Sequence, residues 1–211
     1  KKLFGDSWGP RMEHILRNGL LALLETPGTS LVHLSRLLQD SNFRRTLTGN
    51  IEDPLVRAFW QQEFSSWNDR YRTEAIAPVL NKLGFFLSNV ILRNILGQQQ
   101  SSINLRSIMD SGKVLIVNLS KGRIGEDASG LLGSLLINSL QLAAMSRADV
   151  NEEERQDFCL YVDEFQNFAT ESFASILSEA RKYHLNLIIA QQYIKQLDET
   201  VSEAVFGNVG T

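Results

Sequence analysis

Two adjacent carboxylates, Asp163 and Glu164, directly follow the apolar run Phe158–Val162. A buried strand that ends in two acids places both at the carboxyl edge of a sheet, where open α/β folds bind ligands. Asp163 could hold the Mg²⁺ of a nucleotide, usually through water, and Glu164 could orient and deprotonate an attacking water. The pair therefore matches a Walker B arrangement, although strand-end acids also serve simply to cap the following helix.

An uncharged amide follows a second apolar run. The stretch Leu185–Ala190 is followed by Gln191 and Gln192. If the two strands are adjacent in a parallel sheet, this amide lies beside the acids, at the same edge. It could then sense a γ-phosphate or orient water without adding charge. The alternative is a surface glutamine after a strand.

Beyond residue 98 the sequence alternates short apolar strands with helices, and these elements must position the polar groups. Apolar runs bounded by turn residues predict buried strands, with helices at about 127–147 and 171–183. The predicted strands are Lys113–Leu119, Phe158–Val162 and Leu185–Ala190. Continuously apolar strands separated by helices predict an α/β fold with a mainly parallel sheet covered on both faces. The leucines of the helix at 127–147 are expected to form its wide apolar face.

Residues 1–97 show helical periodicity throughout. Asp53 and Pro54 predict an N-cap followed by proline at the first helical position. One longer helix is predicted to bury Ile76, Leu80, Leu83, Leu87, Val90, Ile91 and Ile95 and to stop at Gly97. We therefore expect an all-helical domain over 1–97 and a sheet domain over 98–211. Trp60 and Trp67 belong to the helical core in this interpretation, a base-stacking surface being the alternative.

The composition is that of an ordinary globular protein. The chain has 211 residues, of which 43% are hydrophobic and 21% charged, which excludes a disordered, collagen-like or disulfide-rich protein. Cys159 is the only cysteine, so no internal disulfide can form and a reducing compartment is the simplest expectation. No apolar run reaches the roughly 18 residues that a membrane span needs, and the first residues do not form a signal peptide.

The net charge of −3 divides unevenly along the chain. Residues 1–123 carry +6 and residues 124–211 carry −9. Such a split can join a polyanion-facing part to an acidic part, but no basic run exceeds two residues. Scattered solvated charge is the alternative explanation, so charge alone does not establish nucleic-acid binding.

From about Trp8 onward the chain resembles the motor domain of type IV secretion coupling ATPases of the TraD/TraG kind, within the HerA/FtsK superfamily of ring-shaped DNA translocases. The resemblance rests on five segments in order, namely Ser107–Gly122, Tyr161–Phe168, Glu179–Tyr183, Ile189–Gln192 and Gly207–Thr211. It implies a RecA-like core with an all-helical domain inserted between its two nucleotide motifs. It also implies a homo-oligomeric ring, a hexamer, that uses ATP and Mg²⁺ to move DNA.

The resemblance assigns roles at the sheet edge. It makes Asp163 and Glu164 the Walker B pair and Gln192 the sensing amide, with Gln191 as the neighbour with which it could be confused.

Arg181 is the candidate arginine finger, a residue that reaches the site of an adjacent subunit and stabilises the transferring phosphoryl group. A surface charge paired with Glu179 is the other interpretation of Arg181. Lys182 is the next alternative for the finger.

Four cations are candidates for contact with DNA phosphate. Lys121 and Arg123 follow the strand predicted at 113–119 and could face a central pore or simply be solvated. Arg44 and Arg45 lie in the positively charged helical part. Phosphate contacts of this kind would make DNA binding independent of sequence and sensitive to salt.

The P-loop pattern G-x-x-x-x-G-K-[ST] occurs nowhere in the sequence. Gly112 and Lys113 are followed by Val114 and begin a predicted strand, instead of joining a strand to a helix. Without a phosphate cradle and its lysine, this chain alone should bind the β- and γ-phosphates weakly and be inactive as an ATPase. In the family that loop precedes the helical insertion, so we expect this sequence to be an internal piece of a longer motor.

The resemblance favours a cytoplasmic coupling protein that pumps DNA in conjugation or type IV secretion, with relaxosome or secretion-channel proteins as partners. The longer protein would be anchored in the bacterial inner membrane by a region outside this chain, with no membrane contact by this part. Three alternatives stay open: a HerA-like motor in DNA repair or phage defence, a non-catalytic protein-interaction module, and a degenerate ATPase.

Overall fold

A computed structural model describes residues 8–169, 177, 179–192, 197 and 199–208. The chain divides into two compact units whose boundary in the sequence lies between Ser101 and Ser102. We call the described residues before this boundary the helical unit and those after it the sheet unit. Each unit has its own cluster of buried apolar side chains.

The helical unit contains seven described α-helices. They are α1 Pro10–Leu24, α2 His33–Gln39, α3 Ser41–Thr48, α4 Pro54–Ala58, α5 Phe64–Ser66, α6 Asp69–Ser88 and α7 Val90–Leu96, with a π-helical turn, Phe59–Glu63, between α4 and α5. The Asp53 carboxylate accepts hydrogen bonds from Leu55 N and Val56 N, which confirms the predicted cap of α4. Asp40 caps α3 in the same way.

Large apolar side chains fill the core of the helical unit. Phe59, Trp60 and Phe64 are buried, and their ring centroids lie 4.9–6.0 Å apart. The Nε1 atom of Trp60 donates to the carbonyl oxygen of Asn18 at 3.2 Å, so its polar atom is satisfied. Trp60 is thus confirmed as a core residue, and the partly buried Trp67 packs against the same cluster.

The prediction of one helix running through Ile95 is wrong, because the chain breaks at Asn89. Helices α6 and α7 are bent there by 104°. Asn89 has an extended backbone, and its side chain accepts from Ile91 N and Leu92 N to start a new helix. The bend turns part of the predicted apolar stripe outward: Val90, Ile91 and Ile95 are 56%, 39% and 49% exposed.

The sheet unit combines helices with a parallel pair of strands. Its elements are α8 Leu105–Asp110, α9 Lys121–Ile124, α10 Glu126–Met145, β1 Phe158–Val162, β2 Leu185–Ile189 and α11 Glu199–Asn208. The register runs from Phe158 opposite Leu185 to Val162 opposite Ile189. The parallel pairing of these two runs is therefore confirmed. The helix predicted at 171–183 lies mostly outside the described residues, which include a 3₁₀ turn at Ala180–Tyr183.

The prediction of a strand at Lys113–Leu119 is wrong, since this described segment forms no strand. Val114 and Ile116 are 87% and 88% exposed. A cavity of about 830 Å³ is lined by this segment, by α10 and by β1. An apolar run becomes a strand only when a neighbouring edge takes up its N–H and C=O groups, and β1 does not pair with it.

Helix α10 faces the core with small residues more than with the leucines that its sequence suggests. Its buried positions are Ala128, Ser129, Gly133, Ile137, Leu140 and Ala144. Leu135 and Leu142 are 42% and 59% exposed, although both were expected on the buried face. A Cβ atom at Gly133 would lie 2.2 Å from Cδ1 of Phe168, so the close approach of this ring requires glycine.

One described helix, Glu126–Asp149, is long and apolar enough to cross a membrane by length and composition alone, and the bent pair α6 and α7 would make a second. The first qualifies despite the polar residues that interrupt its apolar run. Core helices of soluble proteins meet the same criterion, and α10 contributes Ile137, Leu140 and Ala144 to the core of the sheet unit.

A buried arginine links the amino-terminal ends of the two strands. Arg147 is 1% exposed, and its Nε pairs with Asp110 Oδ1 at 3.0 Å. Its Nη atoms donate to the carbonyl oxygens of Tyr183, at 3.0 Å, and of Gln156. Because these carbonyls lie just before β2 and β1, one side chain fixes the start of the sheet. The ion pair and hydrogen bonds offset the cost of burying the charge.

Candidate functional site

The carboxyl ends of β1 and β2 coincide at one edge of the sheet. Ala190 N donates to the carbonyl oxygen of Val162 at 2.9 Å, and Phe165 N donates to that of Ala190 at 3.0 Å. The two acids therefore leave β1 directly beside the two glutamines that leave β2. The structure thus brings together the two chain segments that carry the polar residues predicted at this edge.

Glu164 occupies a left-handed backbone conformation, with φ 48° and ψ 46°. For a residue with a Cβ atom this conformation costs about 1–2 kcal/mol. Glu164 N donates to Asp163 Oδ1 at 2.9 Å, and its carbonyl oxygen accepts from Asn167 N at 2.9 Å. The resulting turn leaves both acids exposed at the edge where α/β folds bind ligands.

A chain of hydrogen bonds leads from Glu164 to a lysine far away in the sequence. Asn167 Nδ2 donates to Glu164 Oε2 at 2.9 Å, and Lys121 Nζ donates to Asn167 Oδ1 at 2.9 Å. Lys121 also pairs with Glu126 Oε1 at 3.0 Å. Sequence reasoning missed the part of Asn167 in this site. The sequence signal that could have identified it was a polar side chain three positions after Glu164, within reach of that carboxylate.

Helix α10 holds the segments on both sides of this hydrogen-bonded chain. Ser129 is buried, and its Oγ donates to the carbonyl oxygen of Leu119 at 2.6 Å, two residues before Lys121. One turn later, Gly133 receives the ring of Phe168, and Ser134 Oγ donates to the Phe168 carbonyl oxygen at 3.3 Å. The small residues of α10 therefore bring two distant segments of the chain together.

The two glutamines after β2 differ in burial. Gln192 is exposed, whereas the amide oxygen of Gln191 is buried and has no hydrogen-bond partner within the described part of the chain. A buried acceptor without a donor is uncommon in native proteins. The sensing role given to Gln192 stays a prediction, and Gln191 is the glutamine with the unsatisfied buried atom.

The donor set at this edge fits a magnesium ion that arrives with a nucleotide. Among residues 8–169, 177, 179–192, 197 and 199–208, no group of three or more His, Cys, Asp and Glu side chains could hold a metal by itself. Magnesium bound to a nucleotide needs only one or two carboxylates, because phosphate oxygens and water complete its shell. Asp163 supplies one such carboxylate, and the orphaned Gln191 oxygen adds an unsatisfied polar atom on the neighbouring strand end.

Arg181 does not lie with the acids. It is exposed in the 3₁₀ turn that precedes β2, whereas Gln191 and Gln192 follow β2. The two ends of β2, a strand of five residues, are about 16 Å apart at 3.3 Å per residue. Arg181 and its exposed neighbour Lys182 are thus at the opposite edge of the sheet from the acids. A role in the site of an adjacent subunit stays a prediction.

Arg44 makes its contacts inside the helical unit. Its Nη1 donates to the carbonyl oxygens of Leu37 and Leu38, both at 3.0 Å, and its guanidinium lies over the ring of Phe64. Burial lowers the pKa of Arg44, and the positive charge of Arg72 lowers it further. These contacts stabilise the end of α2 and the core, so they describe a structural role.

The other candidate DNA contacts differ in how far they are engaged. Arg45 is exposed and donates to Asn42 Oδ1 at 3.2 Å. Arg123 is exposed on α9. Lys121 is held by Glu126 and Asn167. Arg45 and Arg123 therefore keep the exposure that phosphate contact requires, and their DNA role stays a prediction.

Comparison with known proteins bears on the fold. No protein-family model matches the chain, and no curated protein matches it. A solved structure of the bacterial conjugative coupling protein TrwBdeltaN70, in an unbound monoclinic form, is similar, with a TM-score of 0.56 at 20% sequence identity. The similarity covers 95% of this chain and 47% of that chain, so this chain spans about half the length of that structure. The fold is thus α/β with helical parts and a partial parallel sheet, similar to that of TrwB.

Proposed function

We propose that this chain is part of an ATP-hydrolysing DNA translocase of the conjugative coupling type, with Asp163 and Glu164 as its Walker B acids. The observation that carries the proposal is the turn after β1. It presents two acids beside the glutamines that follow β2, in a fold similar to that of a conjugative coupling protein.

The two acids divide the work in this proposal. Asp163 holds the magnesium ion of ATP, largely through water, and that ion neutralises phosphate charge during transfer. Glu164 orients the attacking water and accepts its proton. Gln192 reports on the γ-phosphate without adding charge. Arg181 acts on the site of a neighbouring subunit, and the phosphate-binding loop is supplied from outside this chain.

The assembly proposed for the longer protein is a hexameric ring around DNA. Arg45 and Arg123 are exposed cations suited to phosphate, so DNA binding is independent of sequence and weakens with salt. The ring works at the cytoplasmic face of the bacterial inner membrane, held by an anchor outside this chain, with relaxosome or secretion-channel proteins as partners. The similarity to TrwB supports this part of the proposal.

The test is Glu164→Gln in the full-length protein. We expect ATP binding to stay within about threefold of wild type and hydrolysis to fall by about 10²–10⁴-fold, the usual contribution of a general base. Glu152→Gln is the matched control, because Glu152 is an exposed acid in the loop before β1. Wild-type turnover in the Glu164→Gln protein would overturn the assignment.

A further inference from the structure

We propose that Lys121 and Asn167 are positioning residues for Glu164, Asn167 by holding its carboxylate and Lys121 by orienting Asn167. The inference rests on the proposed function, because it concerns the side chain assigned as the base. It gives Lys121 a role at the nucleotide site in place of the DNA contact that the sequence suggested.

Hydrogen bonds run without a break from Lys121 through Asn167 to Glu164. Lys121 Nζ, the Asn167 amide and the Glu164 carboxylate are joined by two hydrogen bonds of 2.9 Å each. The lysine belongs to α9, and the other two residues belong to the turn after β1. A contact across 46 positions in the sequence therefore converges on the acid.

The chemistry of the three groups permits only one orientation of the Asn167 amide. A lysine ammonium has only donors and an ionised carboxylate has only acceptors. An amide between them must turn its oxygen to the lysine and its NH₂ to the carboxylate. The orientation of Asn167, which electron density alone seldom distinguishes, is thus dictated by its neighbours. Lys121 is the group that keeps the NH₂ of Asn167 directed at Glu164.

The position of Glu164 needs support from neighbouring contacts. Glu164 has a left-handed backbone, and strain of this kind persists only where surrounding contacts over-determine it. Its described contacts come from Asp163 and Asn167. Removing the side-chain donor at Asn167 leaves the carboxylate free to rotate, and a misplacement of about 1 Å can cost about 10²-fold in rate.

Lys121 is poorly placed to serve as a DNA contact at the same time. Its side chain is 38% exposed, and its ammonium is held by Glu126 and Asn167. A phosphate that took over the ammonium would have to replace both contacts. Arg123, two residues further on, is exposed and better suited to that role.

The experiment compares Asn167→Asp, Lys121→Met and Lys121→Arg in the full-length protein. Asn167→Asp keeps the size of the side chain and the oxygen that faces Lys121, but it replaces the donor to Glu164 with an acceptor. Lys121→Arg keeps a donor for Asn167. Asn138→Asp, on the exposed face of α10, and Lys113→Met, at an exposed lysine, are the matched controls.

Three readouts are taken: kcat and KM for ATP, hydrogen exchange over residues 163–169 without nucleotide, and DNA affinity without nucleotide. We expect Asn167→Asp to lower kcat by about 10- to 100-fold, the size usual for a supporting contact, with KM within about threefold. Lys121→Met lowers kcat by a similar factor and speeds hydrogen exchange in the turn. Lys121→Arg restores both kcat and exchange to wild-type values. DNA affinity is unchanged in all three variants.

The outcomes separate this inference from the proposed function. Wild-type kcat and wild-type exchange in Lys121→Met, together with weaker DNA binding, would overturn the inference and leave the ATPase assignment standing. A wild-type protein that hydrolyses no ATP would contradict the proposed function, and the exchange measurement would then decide whether Lys121 holds the turn.

Discussion

The helical unit and the sheet unit bury very different side chains. In the helical unit Phe59, Trp60 and Phe64 pack ring against ring, and the described helices α3, α4 and α7 begin at side-chain caps. In the sheet unit α10 buries small residues, a buried arginine fixes the strand starts, and a left-handed acid lies at the strand ends. Local rules account for most of the first unit, whereas the second depends on contacts between distant segments.

This difference indicates where stability and function reside. A unit with a large apolar core gains stability from each buried side chain. In the sheet unit, part of the stabilisation from surrounding contacts offsets the strain of the left-handed acid. We therefore expect substitutions in the helical core to affect folding alone, and substitutions around α10 to affect folding and chemistry together. The following predictions run from the largest effect on stability to the smallest.

Arg147→Met tests whether the sheet unit depends on its buried arginine. The substitution leaves the carbonyl oxygens of Tyr183 and Gln156 without this donor and leaves Asp110 with Arg106 as its remaining cation. We expect a loss of about 2–6 kcal/mol, at about 1–3 kcal/mol for each carbonyl oxygen left without a donor, measured by urea denaturation. Arg181→Met, at an exposed arginine of the same unit, should change stability by less than about 0.5 kcal/mol. Equal stability of the two variants would contradict the role of Arg147.

Leu34→Ala tests the helical core, and the same substitution at an exposed leucine, Leu24→Ala, is its control. Leu34 is fully buried and Leu24 is 82% exposed. Removing the buried side chain leaves a cavity and should cost about 3 kcal/mol, whereas Leu24→Ala should cost less than about 0.5 kcal/mol. Thermal and urea unfolding measure both. Similar losses for the two leucines would mean that the core is not where the structure places it.

Gly133→Ala and Gly130→Ala test the contact between α10 and the turn. A Cβ at Gly133 would meet Phe168 at 2.2 Å, while one at Gly130 would lie 3.6 Å from the Asn167 carbonyl oxygen. We expect Gly133→Ala to cost about 1–3 kcal/mol through overpacking and to slow ATP hydrolysis, because the displaced ring moves the turn. Gly130→Ala should stabilise the helix by up to about 1 kcal/mol. The prediction fails if the two alanines act alike.

Asp149→Asn tests the exposed ion pairs, where we expect the smallest effect. The hydrogen bond from Arg106 holds the pKa of Asp149 below its ordinary value of 3.8. Because the folded pKa is the lower one, the stabilisation is complete above 3.8 and is lost as the pH falls through the folded pKa. As the pH drops below about 4, the free energy of unfolding of Asp149→Asn should therefore fall less steeply than that of wild type. Above about pH 5 the two proteins should show the same dependence on pH. An unchanged slope below pH 4 in urea unfolding would count against this pair.

Sequence patterns predicted the features that depend on neighbouring residues or on strand type. The cap at Asp53 is a local contact, and the parallel pairing of β1 with β2 follows from two continuously apolar runs. The placement of the acids beside the glutamines also follows, because parallel strands end at the same edge.

The errors arose where a distant or competing contact decides the structure. The run Lys113–Leu119 has strand composition, but a strand also needs a partner that takes up its N–H and C=O groups, which its own residues do not encode. At Asn89 a side-chain cap overrode the helical periodicity. The link between Lys121 and Asn167 could not be predicted, because it depends on how closely α10 approaches Phe168.

The most direct test of the central claim compares Asp163→Asn with Glu164→Gln in the full-length protein, measuring Mg-ATP affinity and hydrolysis for each. The account predicts that Asp163→Asn weakens Mg-ATP binding by about 10- to 100-fold, because it removes the carboxylate that holds the metal. Glu164→Gln should bind Mg-ATP like wild type and fail to hydrolyse it. Two variants that both bind and hydrolyse Mg-ATP like wild type would show that the acids at the end of β1 are not the catalytic pair.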